Sequence, residues 1–564
     1  MTRSGQVGDA GGRVAVLFIA VALLVAGGVA GVAVGDDPGD GEPTISPAVS
    51  EGEGEQLVLV YFGTDRIGPA ERANGVSVDQ LQARADSAQA PLNRFAEATP
   101  GVTVRNNFWL GNMALVEIEH ARVDVSELAA IDGVEHVGPN FEVTVETGSS
   151  VTPASTAPTN SPDTGMTAPA GVSLTQGTLS SHYTYGLEQI NAPDVWSAYG
   201  TKGSGTTVTV LDTGVDPDHQ DIDLSKWNEW DNQGNEVDSN PQDYDPDGHG
   251  THVSGTVSGG DAGGTHIGVA PDVTLHHGAV LTQNCSSDCT GTLTQITAGM
   301  QWAVDNNADV LSMSLGARDY VEQFIDPVRD AQSAGTLVVA ASGNNGEETS
   351  SSPGNVYDAL SVGASDSNRN IASFSSGEVI DTDSAWGSDA PSDWPSQYTV
   401  PTVSAPGSNI ESALPGDSYG NKWGTSMAAP HVSGAAALVQ AATSSDLSVS
   451  EIETALVETA DHPDGDTQDN RYGHGIIDVK AAADYASGDL PANFEVTIDS
   501  TNSPIDEGET LTVDATVENT GDKSDTQTIT LTVGGQQRAS TDVNLGGGES
   551  TTMTLSSSLS TVAV

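Results

Sequence analysis

Positive charge is what this chain has least of. Its 564 residues carry 18 lysines and arginines against 78 aspartates and glutamates, a formal net charge of −60. The lysines are Lys202, Lys226, Lys422, Lys480 and Lys523. Such an excess of carboxylate repels nucleic acid and anionic lipid, so no nucleic-acid partner is expected. Aromatic residues make up 5 % and the cysteines are two, Cys285 and Cys289. That excludes a disulfide-dense scaffold and a cysteine-rich metal domain. One apolar run of membrane-spanning length occurs, over 14–34, after Arg3 and Arg13. It reads either as a cleaved export signal or as a retained anchor, with contact to the membrane only if it is kept. Gly27, Gly28 and Gly31 weaken a helix near its end, which favours cleavage.

What is present argues for a folded protein. High charge with few hydrophobics is one signature of disorder. Here, however, apolar residues recur at helix and strand periods, as folded domains require. A carboxylate-rich surface stays hydrated in concentrated salt, which screens its self-repulsion within a few ångströms. The expectation is a salt-adapted protein of halophilic, for example haloarchaeal, source.

Pattern changes mark the domains. Residues 1–35 hold the signal or anchor, and 36–56 an acidic linker rich in Gly and Pro. Residues 57–146 run strand (LVLVYF), amphipathic helix, two strands (VTVRN, MALVEIE), short helix and strand (VEHV), the split βαβ order of a small α+β domain. Ser, Thr, Pro, Ala and Gly dominate 147–180, a connector open to proteolysis. Strands and helices alternate over 181–487, which predicts an α/β domain with a mainly parallel sheet flanked by helices. Residues 488–564 turn to alternating Thr/Val strands, read as a small all-β sandwich of immunoglobulin-like style, whole or truncated.

Three segments of the large domain carry chemistry. In VTVLDTGVDPDH, Asp212 closes a hydrophobic strand; in DGHGTHVSGTVSG, His249 precedes a small-residue helix; in GTSMAAPHVSGAAALV, Ser426 stands at a helix mouth. Parallel sheets bind ligands beyond the carboxyl ends of their strands, so the three can meet at one rim. A serine hydroxyl needs a base to become a nucleophile, imidazole suits that task, and a carboxylate holds the imidazole's tautomer. The helix start at Ser426 supplies a backbone N–H toward developing negative charge. In AASGNNG, Asn344 offers a second oxyanion donor, with Asn345 as the competing position. His252 and His431, on the same two helices, read as satisfied core histidines. Cys285 and Cys289, in QNCSSDCTG, read as a short disulfide staple or two free thiols, zinc shared with His276 or His277 lacking a recognisable spacing. DYDPDGHG mimics the start of a calcium loop, but Ser254 stands where its closing glutamate belongs.

Together, DTGVD, HGTHVSG, SGNNG and GTSMAAPHVSG resemble the subtilisin-like serine proteases, the subtilases, in the order Asp, His, Ser. The resemblance implies a serine endopeptidase that forms an acyl-enzyme, with Asp212, His249 and Ser426 as triad and Asn344 in the oxyanion hole. It makes Ser314, Leu315 and Gly316 the edge that binds extended protein or peptide substrates, and 57–146 a propeptide acting as folding assistant and intramolecular inhibitor. It implies secretion, or a cell-surface anchor, and no cofactor for the chemistry. Structural Ca2+ is a family habit: Asp221 resembles one ligand, but Ala262 replaces the asparagine expected beside it. Two other functions share these residues: a maturation protease for one specific partner, and a surface or adhesion protein on a decayed protease fold.

Overall fold

The computed structural model describes residues 14–17, 43–50, 54–63, 75–145, 182–286, 288–443, 446–465, 468–488, 492, 494–503, 510–519, 521, 523–533 and 536–558. The chain divides into two compact units, Gly41–Ala483 and one containing Asp484–Val564.

In the larger unit the first elements are β1 (Glu55–Phe62), α1 (Val78–Ala98), β2 (Val102–Phe108), β3 (Met113–Glu119), α2 (Val125–Ala129), β4 (Val134–Pro139) and β5 (Glu142–Val145). A Ser77–Gln80 capping box starts α1, and one between Asp124 and Glu127 starts α2. With Thr44–Ile45, the strands β4, β1, β3 and β2 form a five-stranded sheet in that order. Both faces of β1 are buried, which is why LVLVYF is apolar without interruption. Val58 and Val60 enter a core with Leu92, Val116 and Leu128, while Leu59 joins Met113 and Leu115 in a cluster shared with Leu293, Ile296 and Phe324 of the large domain.

The large domain follows as β6 (Thr207–Asp212), β7 (Leu224–Glu229), α3 (His249–Ser258), β8 (Thr274–Ala279), β9 (Thr290–Thr292), α4 (Leu293–Asp305), β10 (Val310–Met313), β11 (Leu315–Arg318), α5 (Ile325–Ser333), β12 (Leu337–Ala341), β13 (Leu360–Ser365), β14 (Val403–Pro406) and α6 (Thr425–Ala442). Seven strands form one parallel sheet in the order β14-β13-β12-β10-β6-β8-β7. Helices cover it, α3 packing on α6 and α4 on α5. Strands buried on both faces must be apolar throughout; β10, β12 and β13 are buried at every residue. This is the fold class that the alternation predicts. A 3-10 turn (Glu322–Phe324) leads into helix α5 at Ile325.

In the other unit, β15 (Phe494–Thr501), β16 (Thr510–Asn519) and β19 (Ser550–Ser558) form one three-stranded sheet. β17 (Asp525–Val533), β18 (Gln536–Leu545) and Val14–Leu17 form another. Residues of both sheets, among them Val513, Val517, Ile529, Leu531 and Leu555, share one apolar cluster. Of the run over 14–34, residues 18–34 lie outside the described residues, as does the connector over 147–180. Among the described residues no helix is long and apolar enough to cross a membrane.

Candidate active site

Asp212 ends β6 at the carboxyl rim of the sheet and is fully buried. Gly214, at φ +111°, turns the chain away there; a Cβ on it would lie 2.0 Å from the Gln242 carbonyl oxygen. His249 is the first residue of α3, and its Nδ1 lies 2.7 Å from Asp212 Oδ1, which also accepts from the Thr213 backbone N–H at 2.7 Å. The His249 Nε2 atom is buried and has no hydrogen-bond partner among the described residues. The ring is thus oriented by one nitrogen and presents the other.

Ser426 is the second residue of α6, at the end where helix N–H groups point outward. Its N-cap, Gly424, has φ 148°, a conformation that only glycine adopts readily. The Ser426 hydroxyl donates to the Ser314 carbonyl at 3.4 Å, and the Ser314 hydroxyl donates to the Ser426 carbonyl at 2.8 Å. The second bond has a cause in the sequence. Pro430 is the sixth residue of α6, past the first turn, and cannot supply the N–H that the Ser426 carbonyl would receive. Ser314 substitutes for it.

Asn344 follows β12. Its Oδ1 accepts from the Thr425 N–H at 2.9 Å and from the Thr425 hydroxyl at 3.2 Å, which turns the amide nitrogen away from Thr425, the neighbour of Ser426. The competitor, Asn345, donates its backbone N–H to Ser376 Oγ at 3.0 Å. Strands β6, β10 and β12 lie side by side, so Asp212, Ser314 and Asn344 follow the ends of three parallel strands and share one rim.

Asp243, the first residue of the DYDPDGHG stretch, ties this rim together in a role that the motif does not reveal. Its Oδ1 accepts from the Thr213 hydroxyl at 2.8 Å, and its Oδ2 from the Thr251 N–H at 2.8 Å and hydroxyl at 2.6 Å. Thr213 in turn accepts from the Gly250 N–H at 3.0 Å. One carboxyl thus joins the neighbour of Asp212 to the helix that begins with His249. Burial pushes its pKa up to about 6 despite these donors.

Ser314, Leu315 and Gly316 border a strand that the sequence reading missed. β5 lies antiparallel between β9 and β11, with Val143 opposite Gly291, Thr144 opposite Gly316, and Val145 opposite Leu315. Its side chain at Val143 is fully buried. His252 and His431 are core residues: His252 Nε2 lies 2.9 Å from the Ile410 carbonyl and His431 Nδ1 2.8 Å from that of Met427. Burial lowers their pKa values to about 3 and about 4.

Metal readings fare worse. Cys285 and Cys289 form a disulfide, which rules out free thiols and zinc held through them. At Asp221 the position that resembles a calcium ligand is filled by protein donors: Oδ1 accepts from the Ala262 N–H at 2.6 Å and Oδ2 from the Tyr419 hydroxyl. Both oxygens are engaged and Ala262 brings no side-chain oxygen, so these residues do not fit the ion. Among the described residues no cluster of three or more His, Cys, Asp or Glu is disposed to hold a metal.

Known proteins resemble the part of the chain that holds this rim. A family model described as "Subtilase family" matches 203–475, and one described as CARDB matches 491–562. The chain is 36% identical to Subtilisin BL of Lederbergia lenta over 299 residues, 53% of this chain and 97% of that protein. It is equally identical to an alkaline protease of Alkalihalobacillus alcalophilus over 306 residues, 54% of this chain and 71% of the relative. A major intracellular serine protease of Bacillus subtilis shows 36% identity over 263 residues, 45% of this chain and 74% of its own length.

Proposed function

Because this chain belongs to the subtilase family and is a serine-type endopeptidase, we propose that it is exported as a precursor that processes itself, with Asp212, His249 and Ser426 as its catalytic triad. The observation that carries the triad is the buried 2.7 Å contact between His249 and Asp212 at the rim that Ser426 shares. Ser426 Oγ attacks the scissile carbonyl while His249 Nε2 takes its proton. Asp212 holds the Nδ1–H and stabilises the imidazolium. The carbonyl oxygen, now an oxyanion, receives the Ser426 N–H and the Asn344 amide. His249 then protonates the leaving amine, and water releases the acyl-enzyme by the same steps. Side chains and backbone amides supply all of this chemistry.

The substrate is an extended peptide that adds a strand between β9 and β11, held by main-chain hydrogen bonds with little demand on sequence. Support comes from β5, which adopts that pose. On this reading 57–146 is the propeptide, its last strand an intramolecular inhibitor, and the processing cut falls in the connector that follows. The −60 charge supports work in concentrated salt. A general endopeptidase is favoured over a protease for one partner because recognition runs through backbone, and over a decayed fold because the dyad is intact. The test is labelling of the purified protein with a fluorophosphonate in high salt. Stoichiometric labelling that disappears in Ser426→Ala is expected; labelling that survives the substitution overturns the assignment.

A further inference from the structure

The Cys285–Cys289 disulfide lies beside the strand that borders the cleft. β9 has three residues and is the edge of its small sheet, in the order β9-β5-β11 followed by Ser351–Ser352. Its ladder is made with β5, the strand in the substrate pose. Once that segment leaves, the position of β9 depends on what anchors its two ends.

The far end is anchored by Thr292, which caps α4 through a capping box with Gln295 and donates its hydroxyl to the Asn232 carbonyl at 3.1 Å. The near end is anchored by a closed ring. Gln283 and Thr290 exchange both backbone hydrogen bonds, at 2.9 and 2.7 Å. Asn284, at φ +57°, turns the chain and donates its amide to Thr290 Oγ1 at 2.9 Å. Within that turn the disulfide joins Cys285 to Cys289, the residue directly before β9. Cys289 is 3% exposed and belongs to the same apolar cluster as Val143 of β5, Leu293 and Leu315. The ring therefore fixes the start of β9, and one of its sulfurs sits in the apolar surroundings of the side chain that β5 buries.

We propose that the Cys285–Cys289 disulfide is a specificity-determining clasp, which holds β9 in register for the incoming peptide and so sets affinity for the residues that precede the scissile bond by several positions. It deepens the reading of β9 and β11 as the substrate channel and rests on it. The clasp touches no reacting atom; it is a positioning element. A ring this short constrains the unfolded chain little, so its effect belongs to binding more than to global stability.

The consequence depends on substrate length. A peptide spanning β9 and β11, with a valine placed as Val143 is, needs the clasp; a single-residue ester, which reaches only Ser426 and its neighbours, does not. The experiment measures kcat and KM for both substrates in high salt, on the full secreted enzyme, with the disulfide intact, after dithiothreitol with the freed thiols counted, and in the Cys285→Ser/Cys289→Ser double variant. The expected result is a rise in KM of about 10-fold for the long peptide with kcat held within a factor of two, and an unchanged ester rate. An equal loss on both substrates, or no change on either, overturns the proposal. If the thiols resist reduction the double variant decides, and if the variant is not secreted the reduced enzyme does. Failure of the triad reading looks different: the intact enzyme would hydrolyse neither substrate.

Discussion

Two buried aspartates near each other in the chain, Asp212 and Asp221, show how a carboxylate's role is decided by what meets it. Asp212 meets an imidazole whose other nitrogen has no partner among the described residues. Asp221 meets a backbone N–H and a phenol, which occupy one oxygen each. Each stands where a subtilase-like motif expects it, yet the partners of only one came with it. Asp212 meets the histidine that its motif leads one to expect; Asp221 is held by protein donors at both oxygens.

The sharpest way to break this contrast is Ser426→Ala. It should lower kcat for peptide hydrolysis by about 10⁴-fold or more and leave the precursor uncut, as read by gel mass on the purified protein. Full activity would reduce Asp212 to the same structural rank as Asp221. Next comes Asn344→Ala, which removes the proposed oxyanion donor. A fall in kcat of about 10²–10³-fold with KM little changed is expected, and a pure KM effect would count against the assignment. Asp243→Asn disturbs the tie between Thr213 and Thr251 without touching substrate. Steady-state kinetics should show kcat lower by about 10-fold at constant KM, since small misplacements of reacting groups are costly.

The histidine core sharpens the picture through pH. Burial lowers His252 to about 3 and His277 and His431 to about 4, all from 6.5. A histidine depressed in the folded state adds stability that is present above pH 6.5 and is lost as pH falls toward 4, on the order of 3 kcal/mol for each such group when both states are protonated. The urea midpoint in concentrated salt, which screens surface repulsion, should drop steeply between pH 6.5 and 4. A flat profile would mean these rings are not held neutral. The smallest effect belongs to the other aspartate. Tyr419→Phe should cost about 1–2 kcal/mol of stability, and a chelator should shift its melting no more than that of the parent. A large chelator effect confined to the parent would restore the cation at Asp221.

How much of this was legible follows from range. The triad motifs are short, and each sets its residue at a strand end or helix start by local rules, so Asp212, His249, Ser426 and Asn344 could be nominated from sequence. The parallel sheet was legible because its strands must be apolar on both faces. The strand β5 was not. EVTV is too short and too polar to stand out, and its partners Thr290–Thr292 and Leu315–Arg318 are remote in the chain. The role of Asp243 was hidden for a similar reason: in so acidic a sequence nothing distinguishes a clamped carboxylate from a solvated one. The exchange between Pro430 and Ser314 needed coordinates as well, because the missing donor and its replacement lie on different elements.

The sheet built on β1 leaves a lasting consequence. Leu59, Met113 and Leu115 are sheltered by the large domain, not by their own helices. Parted from it in concentrated salt, that face would be exposed hydrocarbon, which salting-out makes still less welcome than in dilute buffer. If residues 57–146 are the severed inhibitor proposed above, they would sooner return to the cleft than drift off, and lasting activity in strong salt would call for their destruction rather than their dilution.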